Sequence, residues 1–181
     1  GTHASVQGAG RTDTGVHALG QVAHVHVETR LGDEELRRAL NAHLPVSVVV
    51  KRLETCRADF HARFSAVSKR YAYLTATTRF PPPFGKALVH WTPSALDFGR
   101  MRRAADALLG RHDFVSFSST GSPRSSTVRE VQRIHFVPRR DWFAFVIQAD
   151  GFLYNMVRAI AGTLLDVGRG RLEVGVVRHP G

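Results

Sequence analysis

The chain has 181 residues and carries 25 Lys and Arg against 15 Asp and Glu, a formal net charge of +10 at pH 7. Its hydrophobic fraction of 43% is enough for a packed core and excludes a disordered chain, and no apolar run approaches the ~20 residues of a membrane span. The single cysteine, Cys56, excludes a disulfide framework and a zinc site built on cysteines, and it suits a reducing compartment.

The positive charge is concentrated in the middle of the chain. Residues 1–56 and 141–181 are each balanced, whereas residues 57–140 carry 15 basic against 5 acidic side chains. Most of the basic residues are arginines, whose planar guanidinium binds phosphate and stacks on bases, so the pattern favours a polyanionic partner. A surface that serves only solubility is the alternative for the charge alone.

The first part of the chain predicts a loop, two strands and a helix. Residues 8–15 include three glycines, which permit positive φ and close backbone approach, and predict a loop. Residues 21–27 and 46–50 are rich in β-branched side chains and predict strands. Between them, Asp33 is predicted to cap an amphipathic helix that stops before Pro45.

A strand centred on residues 71–74 precedes the clearest break in the pattern. The segment 80–93 opens with Phe80 and three consecutive prolines, which favour an extended connection and exclude a helix. We therefore expect residues 1–79 and 94–181 to be two halves of one catalytic domain, joined by this segment.

The second half predicts two helices and two strands. Ser94, with Asp97 three residues later, predicts the start of a helix that Gly110 ends. A mobile basic loop over 116–127, strands over 128–137 and 142–148, and a helix from about Phe152 to Val167 follow. The predicted fold class is α+β, a mixed and largely antiparallel sheet with helices against one face.

Asp13 and Arg158 are the two candidates for chemistry that stand in charge-balanced segments. Asp13 lies in the glycine-bracketed loop beside Arg11, where packing does not require an acid; an Asx-turn is the structural alternative. Arg158 lies at the edge of the apolar stripe of the last helix. An arginine there either extends to water or pairs with an anion, which could be Asp13 or a phosphate.

Lys69, Arg70, Tyr71 and Tyr73 bring cations and aromatic rings together on one strand. Alternation places Lys69, Tyr71 and Tyr73 on one face and Arg70 on the other. Tyrosine can stack on a base and lysine can bind a phosphate, whereas a core tyrosine with solvated cations is the alternative.

Other chemistries have little support. His24 and His26 share a strand face, yet no carboxylate stands at a convincing spacing, so we expect no metal site. The loop matches a dinucleotide fingerprint in its first two glycines only, and Asp13 in the place of the third would repel a pyrophosphate. We therefore expect no dinucleotide cofactor in this loop.

Four segments in order resemble the tRNA pseudouridine synthase A (TruA) family. They are Gly8-Ala9-Gly10-Arg11-Thr12-Asp13-Thr14-Gly15-Val16-His17-Ala18, Phe60-His61-Ala62-Arg63-Phe64-Ser65-Ala66, Lys69-Arg70-Tyr71-Ala72-Tyr73 and Gly151-Phe152-Leu153-Tyr154-Asn155-Met156-Val157-Arg158. The resemblance implies the pseudouridine synthase fold and isomerisation of uridines 38 to 40 in the anticodon arm of tRNA, without metal or cofactor. Because that family usually has an additional strand and helix before the loop and further strands at the end, we expect this chain to be truncated at both ends.

The resemblance also implies roles for individual residues. Asp13 would be the catalytic carboxylate, Arg158 its partner, and Tyr71 a ring that stacks on the uracil and assists removal of the C5 proton. Arg11 would help displace the target base, and Lys69 and Arg70 would bind substrate. The implied enzyme is a cytoplasmic homodimer that acts on tRNA; a non-catalytic RNA-binding module is the alternative.

Overall fold

A computed structural model describes residues 4–10, 12–119 and 126–177. The described part contains seven strands and three α-helices, with short 3-10 turns between some of them. In chain order these are β1 (Val6–Gly8), β2 (Ala23–Val25), α1 (Asp33–His43), β3 (Lys69–Ala76), β4 (His90–Trp91), α2 (Phe98–Asp106), β5 (Gly110–Asp113), β6 (Val128–Pro138), β7 (Trp142–Ala149) and α3 (Met156–Gly168).

The chain forms two compact units, each described by itself. The first comprises residues 1–12 and 18–66, and the second comprises residues 13–17 and 67–181, within the described ranges. In the first unit β1 and β2 pair antiparallel, with Val6 opposite Val25, and α1 has no fully buried residue. The short loop 13–17 therefore belongs with the larger unit although its neighbours along the chain do not.

The second unit is built on a five-stranded sheet in the order β4-β3-β7-β6-β5. β3 and β4 are parallel, and the other neighbours are antiparallel, including all eight residues of β3 against β7. The predicted α+β class with a mostly antiparallel sheet is thus confirmed, as are the predicted strands at β3, β6 and β7.

Helices α2 and α3 pack on one face of this sheet and bury its apolar side chains. The central strand β7 contributes inward-facing residues at every second position, as the period of a strand requires. The largest fully buried side chains of the core are Phe114, Phe143, Phe145, Met101, Leu108, Ile147, Met156, Ile160 and Leu164.

The proline-rich segment 80–93 lies within the second unit and does not separate the two units. The two units divide between Ala66 and Val67, because β3 lies before the prolines and yet pairs with β7 along its whole length. The proline-rich segment instead joins β3 to β4, which are neighbours in the same sheet.

The strand predicted at residues 46–50 is wrong. Residues 46 and 47 form a turn and residues 48–50 are irregular, and Val46, Val48 and Val49 are exposed. The backbone of Val50 is satisfied without a strand partner, since its N–H donates to Asn41 Oδ1 (2.7 Å) and its carbonyl accepts from Asn41 Nδ2 (2.9 Å).

All three helices begin differently from their prediction. Asp33 is the first residue of α1 and not its cap, and its carboxylate accepts bonds from the N–H and hydroxyl of Thr55 instead. The cap of α2 is Asp97, which accepts the N–H of Arg100 (2.9 Å), so the cap predicted at Ser94 is wrong.

The last helix starts four residues later than predicted. Asn155 has a φ of 61°, a left-handed conformation that a helix interior does not contain, so α3 begins only at Met156. At the other end the helix was predicted to stop at Val167 with Gly168 after it, and the observed helix includes Gly168 as its last residue.

Candidate active site

The loop that carries Asp13 is a tight turn. The carbonyl oxygen of Asp13 accepts the N–H of Val16 (2.9 Å), and Gly15 at the third position has a φ of 77°, which favours glycine. The turn thus uses the backbone of Asp13, and no hydrogen bond to its carboxylate is observed among the described residues. The turn fixes the backbone of the half-buried Asp13 and leaves its carboxylate available for chemistry.

Strand β3 supplies the aromatic part of the site. Alternation places Lys69, Tyr71 and Tyr73 on the face that packs towards α3, and the Tyr71 ring meets Phe152 edge-on with the ring centroids 5.0 Å apart. Arg70 lies on the opposite face, as alternation predicts. Its Nε and Nη2 both donate to the side-chain oxygen of Gln148, at 3.2 and 2.8 Å.

The site is electrostatically coupled across these elements. Burial raises the pKa of Tyr71, and the negative charge of Asp13 raises it further. Asp13 and Tyr71 therefore interact even though 58 positions separate them along the chain. The raised pKa keeps the Tyr71 hydroxyl protonated at neutral pH.

Arg158 holds the loop by a different contact from the predicted one. Its exposed guanidinium donates from Nη2 to the carbonyl oxygen of Thr14 (3.0 Å), the residue after Asp13. An ion pair between Arg158 and Asp13 is not observed among the described side chains. The arginine lies in the first turn of α3 and anchors the backbone of the turn, so it restrains where the neighbouring carboxylate lies.

Two further side chains border this site. Tyr73 is half-buried, and burial raises its pKa while the positive charge of Arg158 opposes that shift. The ring of His90, on the neighbouring strand β4, lies 6.0 Å from the Tyr73 ring centroid. Alternation along β3 could have identified Tyr73, whereas nothing in the sequence indicates that the carbonyl of Thr14 would be the partner of Arg158.

The remaining predicted site residues divide in two. Lys69 shares the face and the strand of Tyr71, so the structure brings it to the site. Arg70 points away from it, and Arg11 lies outside the described residues.

Within the described ranges, His, Cys, Asp and Glu form no group of three that could hold a metal ion. No helix in those ranges has the length and hydropathy to cross a bilayer.

Comparison with known proteins gives consistent matches over most of the chain. A family model described as tRNA pseudouridine synthase matches residues 1–65 and 104–179. The tRNA pseudouridine synthase A of Listeria innocua serovar 6a is 40% identical over 174 residues, which cover 96% of this chain and 70% of the relative. The protein of the same name from Acetivibrio thermocellus is 42% identical over 166 residues, which cover 92% of this chain and 68% of the relative.

Proposed function

The chain belongs to the tRNA pseudouridine synthase family, and we propose that it converts uridine to pseudouridine in tRNA with Asp13 as the catalytic carboxylate. The observation that carries this proposal is the placement of Asp13. A tight turn holds its half-buried carboxylate, Arg158 anchors the next residue, and its charge acts on the Tyr71 hydroxyl.

In the proposed reaction the bond between the base and the ribose moves from N1 to C5 of uracil. The bond between N1 of uracil and C1′ of ribose breaks with the Asp13 carboxylate attacking the nucleotide or initiating the cleavage. The uracil turns and a bond forms between C5 and C1′, while any bond that the carboxylate has formed to the nucleotide breaks and frees Asp13. The C5 proton then leaves and N1 takes up a proton. The base has to leave the helical stack before the carboxylate can reach it.

Tyr71 fits the proposed role of a stacking platform. Its ring is held by the edge contact with Phe152 and is half-exposed, and the charge of Asp13 acts on its hydroxyl. An aromatic ring that stacks on a displaced base offsets part of the lost stacking, at ~1–3 kcal/mol per base. Because the Tyr71 hydroxyl is protonated at neutral pH, assistance in removal of the C5 proton requires that it first give up its own.

Arg158 is assigned as a positioning residue. It touches the carbonyl of Thr14, so it acts on catalysis through the loop. Lys69, on the face of Tyr71, is proposed to contact a phosphate of the substrate. Arg11 is proposed to displace the target base, and Arg70 to contact the tRNA on the other face of the sheet.

The finer parts of the proposal concern substrate and assembly. The targets are uridines 38 to 40 of the anticodon arm, and the enzyme is a homodimer in the cytoplasm. The family resemblance supports these statements, and the arginine-rich segment 57–140 fits recognition of tRNA through its backbone.

Release of tritium from C5 of uridine in tRNA tests the proposal. The Asp13→Asn variant keeps the size of the side chain and is expected to abolish release while tRNA binding persists. Asp141→Asn is the matched control, since Asp141 is exposed and its observed hydrogen bond uses its backbone carbonyl. Release by Asp13→Asn at the wild-type rate would refute the mechanism, and tRNA binding by a wild-type chain that releases no tritium would favour a non-catalytic RNA-binding module.

A further inference from the structure

The first unit presents an exposed aromatic ring on a rigid turn. The side chain of Phe64 is 78% exposed. An apolar ring that is held in a fixed position while exposed to water gains nothing from burial, so its placement calls for another reason. The turn that carries it, residues 60–66, belongs to the first unit, whereas Asp13 and Tyr71 belong to the second. The chemistry proposed above does not use this turn.

Two histidines fix the backbone of this turn. The Nδ1 atom of His61 accepts the N–H groups of Arg63 (3.2 Å) and Phe64 (3.3 Å), and the Nδ1 atom of His24 accepts the N–H of the buried Ala62 (3.1 Å). Because Nδ1 of His61 is an acceptor, its Nε2 carries the proton and donates to the side-chain oxygen of Gln7 (3.0 Å). The turn is therefore preorganised before any ligand arrives.

The Phe64 ring ends a row of rings in contact. The centroids of His24 and His61 are 4.6 Å apart, and those of His61 and Phe64 are 4.3 Å apart with the planes inclined by 35°. His61 thus covers part of one side of the phenyl ring and leaves most of it open. A flat ligand that stacks on Phe64 would extend the row by one ring.

The charge beside the ring identifies the chemistry of that ligand. Three arginines of this unit, Arg37, Arg52 and Arg57, are bound by neighbouring carboxylates. Arg63 is exposed, and among the described residues the observed contact of its guanidinium is the Phe64 ring, 5.9 Å from the centroid. An uncompensated cation next to an open ring suits a planar group attached to a phosphate.

We propose that Phe64 and Arg63 form a second contact surface for tRNA, on which an unpaired nucleobase stacks on Phe64 while Arg63 binds the adjoining phosphate. This inference rests on the proposed action on tRNA and adds residues of the first unit to those that contact it. Stacking on an aromatic ring tolerates any base, so the surface contributes affinity and position rather than sequence preference.

Binding of unmodified tRNA to variants of the full chain tests the surface without recourse to turnover. Phe64→Leu, which keeps an apolar side chain but cannot stack, is expected to raise the Kd about 5- to 160-fold. Phe64→Trp is expected to bind at least as tightly as the wild type. Arg63→Gln is expected to reduce the slope of log K against log salt by about one, as loss of one phosphate contact does.

Phe84→Leu is the matched control, because Phe84 is also a strongly exposed phenylalanine (89%) but lies in the proline-rich segment. It is expected to leave the Kd unchanged. Bases of a hairpin RNA with the anticodon-arm sequence can be removed one at a time and the Kd measured for each abasic RNA. Removal of one particular base is expected to raise the Kd of the wild type and to leave the Kd of Phe64→Leu unchanged.

The proposal is overturned if Phe64→Leu and Phe84→Leu bind tRNA equally well. A change in sedimentation of Phe64→Leu at an unchanged Kd would show that the ring contacts a second copy of the chain, which equally contradicts the proposal. If the wild type releases no tritium but binds tRNA in a way that depends on Phe64, the proposed catalysis is refuted and the proposed binding surface is retained.

Discussion

The close approach of helices α2 and α3 makes opposite predictions for two glycines of the same helix. A Cβ atom at Gly168 would lie 2.7 Å from Sδ and 2.9 Å from Cγ of Met101, and 3.3 Å from Leu96. Met101 is buried, so it has no free volume to enter and must move by about 1 Å to reach an ordinary contact distance of ~3.5–4.0 Å. Overpacking of this kind costs about 1–3 kcal/mol, so Gly168→Ala should lower the free energy of unfolding by that amount.

Gly162 is the matched control, because a Cβ atom there would meet no atom within 4 Å. In a helix interior, alanine is favoured over glycine by about 0.8–1.0 kcal/mol, so Gly162→Ala should raise the free energy of unfolding. The two variants are expected to differ by about 2–4 kcal/mol in total. Urea denaturation followed by far-ultraviolet circular dichroism measures this difference as a shift in midpoint.

Two outcomes of the denaturation measurement would contradict this prediction. If Gly168→Ala is as stable as Gly162→Ala, the two helices are not in the close contact described. If both variants are destabilised, the helix itself and not the packing between helices determines the effect.

Three further predictions concern the site and the first unit. Arg158→Met removes the bond to the Thr14 carbonyl and is expected to lower kcat for tritium release about tenfold, with an unchanged Kd for tRNA; an unchanged kcat would show that the loop needs no anchor. The pKa of His24 is lowered by desolvation and by the two nearby histidines, so the stability due to its neutral form is present above pH 6.5 and is lost as the pH falls through the lowered value. The free energy of unfolding should decline from pH 7 towards pH 5, with a shallower slope in His24→Asn, and equal slopes would contradict this role. Asn41→Ala leaves the N–H of Val50 without its partner and leaves its carbonyl only the long bond from Arg37 Nη1 (3.4 Å), so it is expected to destabilise the chain by about 1–2 kcal/mol in urea denaturation. A change below about 0.5 kcal/mol would argue that water replaces the amide.

The spacing of apolar residues along the chain predicted the long strands and the last helix of the second unit. Alternation alone placed Tyr71 and Arg70 on opposite faces of β3, and the structure shows Tyr71 against Phe152 and Arg70 against Gln148. The sheet and the apolar stripe of α3 were predictable for the same reason, because burial imposes a fixed period on each kind of element.

Single-residue conformations and partners were not predictable in this way. The start of α3 depends on the left-handed conformation of Asn155, which many asparagines do not adopt. The valines at 46–50 have the composition of a strand, but Val50 bonds to the side chain of Asn41 and has no strand partner. For Arg158, a place at the edge of the apolar stripe did not identify the partner, because a long side chain there can bond to any nearby acceptor, and the observed acceptor is the Thr14 carbonyl.

The bond between Arg158 and Thr14 has a consequence for the order of events during protein synthesis. Its two ends are 144 residues apart in the chain. At ~5–20 residues per second, a ribosome needs roughly 7–29 s to add that length. The turn bearing Asp13 is thus made well before its anchor. A nascent chain that already carries the carboxylate therefore lacks the fixed geometry to act on tRNA until α3 has been completed.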